Sequence, residues 1–171
     1  MQVGYAEKYS CDLPVQPIEL VLQLTYHMQQ LKRMLMSDTI FTFPVRVYYE
    51  DTDAGGIVYY ANYLKFFERA RTEWLRALGI EQDLLLEKNV AFVVTQVLMD
   101  NKKPAKFNDV LTVSSQISTL KQASVVFEQK IHNIAGDLIC SAQIKVACIA
   151  LQEMKARAIP ADVVEGLIRG R

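Results

Sequence analysis

Residues 48–78 read YYEDTDAGGIVYYANYLKFFERARTEWLRAL, and this stretch decides the fold. In its second half Tyr63, Phe66, Phe67, Ala70, Trp74 and Leu78 fall at i, i+3, i+4, i+7, i+11 and i+15. That spacing lines one face of an α-helix with apolar surface. Lys65, Arg69, Arg71, Glu73 and Arg76 fill the other positions, and Arg69 can pair with Glu73 one turn on. Asn62 is placed to cap the start, and Gly79 stops the helix. Ahead of it, residues 50–56 form a loop of acids ending in a Gly pair, which reaches backbone angles other residues avoid. A helix start offers unpaired N–H groups and the positive end of the dipole. Beside a carboxylate, that is equipment for stabilising an oxyanion.

Outward from this segment the pattern stays regular. Residues 43–49, FPVRVYY, predict a first strand. A short helix is expected over 81–89. Four strand-like runs follow at 90–100, 109–120, 123–134 and 138–151. Leu111, Val113, Ser115 and Ile117 alternate against Thr112, Ser114 and Gln116, and Val125, Phe127, Gln129 and Ile131 alternate likewise. Residues 133–137 read as a hairpin turn, and Pro160 opens a last helix over 160–169. The order is strand, long helix, then four strands expected in meander connection. It predicts an α+β domain, a mainly antiparallel sheet of about five strands curved around one aromatic-rich helix.

The chain has 171 residues, enough for one well-cored domain. Half of them are apolar and 22% charged, an ordinary globular composition. Nineteen Lys and Arg balance nineteen Asp and Glu, which argues against a nucleic-acid partner. Cys11, Cys140 and Cys148 match no metal or redox spacing. The last two share one strand-like run, roughly 26 Å apart along it, too far for a disulfide. Reduced thiols in a cytoplasmic protein are the reading. No apolar run approaches the roughly 20 residues that span a bilayer, and MQVGYAEKYSCDLPVQP is not a basic signal region.

Residues 1–40 differ from the rest. Ile18, Val21, Leu22, Leu24, Met28, Leu31 and Met34 recur loosely at helical spacing. They form either a peripheral amphipathic helix or a segment ahead of a native start near Met36. An extension over 1–40 followed by a domain over 41–171 is the expected organisation. An intact mass from the native source that includes Met1 would rule out the later start.

Residues 43–79 closely resemble the 4-hydroxybenzoyl-CoA thioesterase family of hotdog-fold proteins, and most of all its Tol–Pal-associated acyl-CoA thioesterase branch. Val45-Arg46-Val47-Tyr48-Tyr49-Glu50-Asp51-Thr52-Asp53-Ala54-Gly55-Gly56-Ile57-Val58-Tyr59 carries the resemblance, with Ala61-Asn62-Tyr63, Phe67-Glu68-Arg69-Ala70-Arg71 and, more weakly, Arg157-Ala158-Ile159-Pro160. The resemblance covers about residues 41–160. It implies hydrolysis of acyl-CoA thioesters without cofactor or metal. It also implies sites between subunits of a homodimer or homotetramer, with an acyl carrier protein as an alternative acyl donor. It puts Asp53 on the catalytic carboxylate and Tyr60 on the residue whose backbone N–H polarises the thioester carbonyl. The branch usually has His at the position of Tyr60, so substrate choice is less determined than catalysis.

The residues admit blander roles. Asp53 can be a turn residue making an Asx bond. Glu50 and Asp51 read as solvated or structural. A calcium loop counted from Asp51 would want Glu at its twelfth position and finds Asn62. Glu68 is the alternative catalytic carboxylate; otherwise it is a surface partner of Arg71. Gly55 and Gly56 would let substrate approach the backbone, and Lys121 and Arg157 are candidate contacts to the phosphates of CoA. Lys102, Lys103 and Lys106 form a weaker cluster. Only His27 and His132 occur, and G-x-S-x-G is absent, which argues against a Ser-His-Asp hydrolase. A hotdog dehydratase would need a His in the motif. A non-catalytic acyl-CoA or acyl-carrier binding module is the rival from another functional class.

Overall fold

The computed structural model describes residues 21–23, 25, 26 and 40–169. The chain divides into two units, Met1–Met34 and Leu35–Arg171, each taken by itself. In the first, the described residues are helical, and the Thr25 hydroxyl donates to the Val21 carbonyl at 2.5 Å. The rest of the helical spacing expected over 18–34 lies outside the described residues, as do Cys11 and His27.

The second unit carries β1 (Phe41–Arg46), α1 (Asn62–Ala77), α2 (Gln82–Glu87), β2 (Val90–Asn101), β3 (Val110–Lys121), β4 (Ser124–Asn133), β5 (Leu138–Ala150), β6 (Lys155–Ala156) and α3 (Ala161–Arg169). The expected first strand ends earlier than residue 49. The Asp51 carboxylate accepts the Tyr48 N–H at 2.9 Å and a single 3-10 turn forms over Tyr49–Asp51, which takes the chain out of the sheet.

The sheet is antiparallel throughout, in the order β1-β3-β4-β5-β2, with β6 on β5. The meander expected for the last four strands holds only for β3, β4 and β5. β2 pairs with β5 instead of β3 and forms the far edge. The reason is the helix between β1 and β2. Sixteen residues of α1, roughly 24 Å of helix, carry the chain from one side of the sheet to the other. The 102–109 connection then brings it back to β3.

The apolar stripe of α1 does what its spacing predicts. Tyr63, Phe66, Phe67, Ala70 and Trp74 are buried. Trp74 stacks on Phe41 at 5.8 Å between ring centroids and meets Phe127 edge-on at 5.9 Å. Each such ring contributes about 1.5–3 kcal/mol through burial. Inward positions of β3 and β4 complete the core, with Leu111, Val113, Ile117, Val125, Phe127 and Ile131 buried. The surface pair expected between Arg69 and Glu73 does not form. Arg69 lies over the Phe66 ring, and Glu73 pairs with Arg76. Arg69 stays exposed, whereas Arg71 is half-buried. It donates to the Gln129 side chain at 2.7 Å and lies over the Phe127 ring.

The two sheet edges differ. β1 is six residues long and contains Pro44, which has no N–H to offer a further strand. β2 is twelve residues long and has no partner on its outer side among the described residues. α1 packs against β1 and β3. The β2 side of the concave face is left open, with Val94 51% and Val97 37% exposed.

Candidate active site

The acidic loop is a small hairpin. Thr52 and Val58 bridge across it, and the Asp53 N–H donates to the Ile57 carbonyl at 2.9 Å. Inside it Gly56 takes φ +72°, and its N–H reaches the Asp53 carbonyl at 2.9 Å. The Gly55 N–H donates to Asp53 Oδ1 at 2.8 Å, an Asx turn. A Cβ at Gly55 would sit 3.1 Å from that same oxygen. The second carboxylate oxygen, Oδ2, has no partner among the described residues, and Asp53 is exposed.

The two neighbouring acids thus have opposite environments. Asp51 is 2% exposed and structural. Besides its carboxylate bond to Tyr48, its main-chain carbonyl accepts the Tyr59 N–H at 2.9 Å and Asn62 Nδ2 at 3.0 Å. Asn62 is therefore not a cap. It is the first helical residue and ties the helix start to the loop, while Ala61 takes the N-cap position. Tyr60 and Ala61 form the turn into α1. Among the described residues, neither of their backbone N–H groups has a protein acceptor. The helix start thus leaves donors unspent beside the Asp53 hairpin.

The Tyr60 side chain packs on Tyr59, with centroids 4.7 Å apart, and its hydroxyl pushes the Tyr59 phenol above its ordinary value. Tyr60 also lines a groove with Ile57, Tyr63, Lys102, Lys103 and Pro104. These lysines come to the motif because Val58 N–H donates to the Ala105 carbonyl at 2.8 Å and Ile57 bridges Lys106. Nothing in their local spacing signals that. Lys103 is paired with Asp137 at 2.6 Å, and Lys102 with Asp100.

The structure gathers Asp53, Gly55, Gly56 and Tyr60 at one end of the sheet. It does not bring Lys121 and Arg157 there within one chain. β3 begins next to the motif, where the Val47 N–H donates to the Asp109 carbonyl, and ends eleven residues after its start, at Lys121. That is roughly 36 Å of extended chain. Arg157 belongs to the Lys121 end, since Ile159 N–H donates to the Gln122 carbonyl. Glu68 stands on α1 roughly 12 Å of helix beyond Tyr60. Its carboxylate accepts the Thr72 hydroxyl at 2.8 Å, and among the described residues no ion pair links it to Arg71. With Arg71, Thr72, Gln82, Phe92, Val94 and Phe127 it lines a second pocket between α1 and β2.

His132 lies half-buried on β4, opposite Thr112 near the start of β3, and Cys140 and Cys148 are buried free thiols. Among the described residues no cluster of His, Cys, Asp and Glu has the makings of a metal site, and no helix is long and apolar enough to cross a membrane.

Residues 47–167 match the model of the thioesterase-like superfamily. The chain belongs to that superfamily. This thioesterase-like chain is 51% identical over 129 residues to the acyl-CoA thioesterase YbgC of Haemophilus influenzae, covering 75% of the chain and 94% of the relative. It is 44% identical over 129 residues to the acyl-CoA thioester hydrolase YbgC of Escherichia coli, covering 75% and 96%. Among solved structures, a probable thioesterase from Bartonella henselae superposes with a TM-score of 0.67 at 37% identity, over 71% of this chain and 99% of that one. A 1,4-dihydroxy-2-naphthoyl-CoA thioesterase from Synechocystis gives 0.71 at 25% identity, over 75% and 95%. The thioesterase-like chain has the hotdog fold, and the resemblance read from residues 43–79 is borne out.

Proposed function

We propose that this chain hydrolyses acyl-CoA thioesters to the free acid and CoA, with Asp53 as nucleophile or base and the Tyr60 backbone N–H as oxyanion donor. One observation carries the reading. N–H groups at the start of α1 that have no acceptor among the described residues adjoin a hairpin whose exposed carboxylate keeps one oxygen without a partner among those residues. The YbgC relatives, named as acyl-CoA thioester hydrolases, support the substrate class.

On the nucleophile route, Asp53 Oδ2 adds to the thioester carbon. The carbonyl oxygen takes up negative charge against the Tyr60 N–H, the C–S bond breaks and CoA leaves as thiolate. Water then cleaves the mixed anhydride and restores the carboxylate. On the base route, Asp53 takes a proton from the water that attacks directly. In either case one such donor contributes about 10²–10³ in rate. Gly55 and Gly56 leave the backbone open to the approaching thioester. Neither route requires a metal or a cofactor.

The separation of Lys121 and Arg157 from Asp53 is resolved by a homodimer. Antiparallel pairing of β2 with β2 of a second copy sets the Val90 end of one strand against the Asn101 end of the other. Arg157 and Lys121 then stand beside the partner's Asp53, placed for the phosphates of CoA. The open concave surface at Val94 and Val97 supports this seam. Further pairing to a homotetramer, acyl carrier protein as an alternative donor, and a cytoplasmic location complete the proposal.

The test is release of free CoA from acetyl-, butyryl-, octanoyl-, palmitoyl- and benzoyl-CoA by wild type and Asp53→Asn. Asn can still accept the Gly55 N–H, so the variant removes the charge and keeps the turn. Turnover that collapses in the variant supports Asp53. Turnover that persists moves the chemistry to Glu68. The Asx bond itself favours a second reading, a binding module in which Asp53 only shapes the loop. That reading requires saturable acyl-CoA binding with no turnover by wild type.

A further inference from the structure

Asn89 stands where α2 ends and β2 begins, at φ +58°, a left-handed conformation that side chains other than Asn and Asp rarely adopt. From there it ties down the turn between β5 and β6. Its Oδ1 accepts the Gln152 N–H at 2.8 Å, and its Nδ2 donates to Glu153 Oε2 at 3.0 Å. Its main-chain carbonyl accepts two donors, the Leu151 N–H at 3.3 Å and Arg157 Nη1 at 3.2 Å. One residue thus sets both the turn and the guanidinium. The remaining guanidinium donors of Arg157 have no protein hydrogen-bond acceptor among the described residues, and a guanidinium held at one nitrogen presents the others in a fixed fork.

We infer that Asn89 is a positioning residue that holds Arg157 ready for the phosphates of a CoA thioester seated at the partner's Asp53. The inference rests on the reading of Arg157 as a CoA contact. Asn89 touches no substrate. It acts by fixing where its own carbonyl points, and through it where the guanidinium points.

The experiment compares KM for the best acyl-CoA of the panel with KM for the same acyl group on pantetheine, which lacks the nucleotide and its phosphates. Wild type, Asn89→Gly and Arg157→Ala are measured. Glycine adopts the left-handed backbone freely, so Asn89→Gly removes the side-chain bonds without strain. Asn89→Asp serves as a second variant, since it keeps the acceptor for Gln152 N–H and sets a carboxylate against Glu153. The expected result is that the KM advantage of acyl-CoA over acyl-pantetheine shrinks about tenfold in Arg157→Ala, as for loss of one charge-assisted contact. In both Asn89 variants it shrinks in the same direction, with kcat retained. If Arg157→Ala loses the advantage and Asn89→Gly keeps it, Asn89 is not a positioning residue. Nor is it one if Asn89→Gly weakens both substrates equally. If Arg157→Ala keeps the advantage, the reading of Arg157 itself fails and takes the inference with it.

Discussion

Gln129, in the middle of β4 and 1% exposed, donates its side-chain amide to the main-chain carbonyl of Phe67 in the middle of α1 at 3.1 Å. The same amide group reaches Ser115 Oγ at 2.7 Å, and its oxygen accepts from Arg71. A single side chain therefore joins two strands, a helix backbone and a half-buried cation. Gln129→Leu leaves Ser115 and Arg71 without their partner inside the protein. Burying unsatisfied polar groups of this kind costs about 2–4 kcal/mol. Urea unfolding should show the midpoint falling accordingly. An unchanged midpoint would mean that the network contributes nothing net.

The two hairpin glycines should separate stability from activity. Gly56→Ala places a side chain at φ +72° with open space around it, so its cost is backbone strain of about 1–2 kcal/mol. Gly55→Ala meets Asp53 Oδ1 at 3.1 Å and must move that carboxylate. The expected outcome is a lowered melting temperature for Gly56→Ala and, for Gly55→Ala, a kcat reduced by about tenfold or more at nearly native stability. Equal activity in wild type and Gly55→Ala would show that the position of Asp53 is immaterial.

Burial, with the charge of Asp100 adding to it, pushes the Cys140 thiol up to about 12 from an ordinary 9.0. Above pH 9 the unfolded chain releases this proton while the folded one keeps it. The contribution to stability is thus complete below 9 and declines as pH rises toward 12. Denaturant titrations of wild type and Cys140→Ala should diverge over that window, wild type losing stability faster. Parallel curves would refute the assignment. A thiol reagent at pH 8 should reach Cys140 only on unfolding.

A charge on the open side of the sheet should break the proposed pairing of β2 edges. Val97→Lys is expected to sediment as a monomer. It should also lose most turnover, since Arg157 and Lys121 of one copy no longer reach the partner's Asp53. A dimeric variant with full activity would place the interface elsewhere.

The helix and the strands were legible because period 3.6 and period 2 report which face is buried, and Trp74 and Leu111 fall on those faces. Sheet order was not, because alternation along β2 says nothing about which strand lies beside it. The run of α1 carries the chain across the sheet, and β2 lands next to β5. Asp51 and Asp53 are the same residue type two positions apart. Local spacing does not distinguish the one that turns inward to Tyr48 from the one that stays outside with Gly55. Lys102 and Lys103 carry little signal in the sequence for the same reason, since their approach to Tyr60 depends on a bridge between Ile57 and Lys106, nearly fifty residues apart. Asp53 and Tyr60 are legible through motif resemblance, and the structure adds their setting: a carboxylate oxygen and an N–H that find no partner among the described residues.

Pro44 has a consequence for assembly. A sheet with two bare rims can recruit copies on both sides and lengthen without limit, the geometry of fibres. Here the β1 rim is short and interrupted by a residue that cannot donate. In the proposed homodimer, union of two β2 rims about a two-fold axis would consume the one long rim that the described residues of each copy present. The joined sheet of that proposed dimer would end in the Pro44-bearing β1 on both flanks, so growth by strand addition would stop at two.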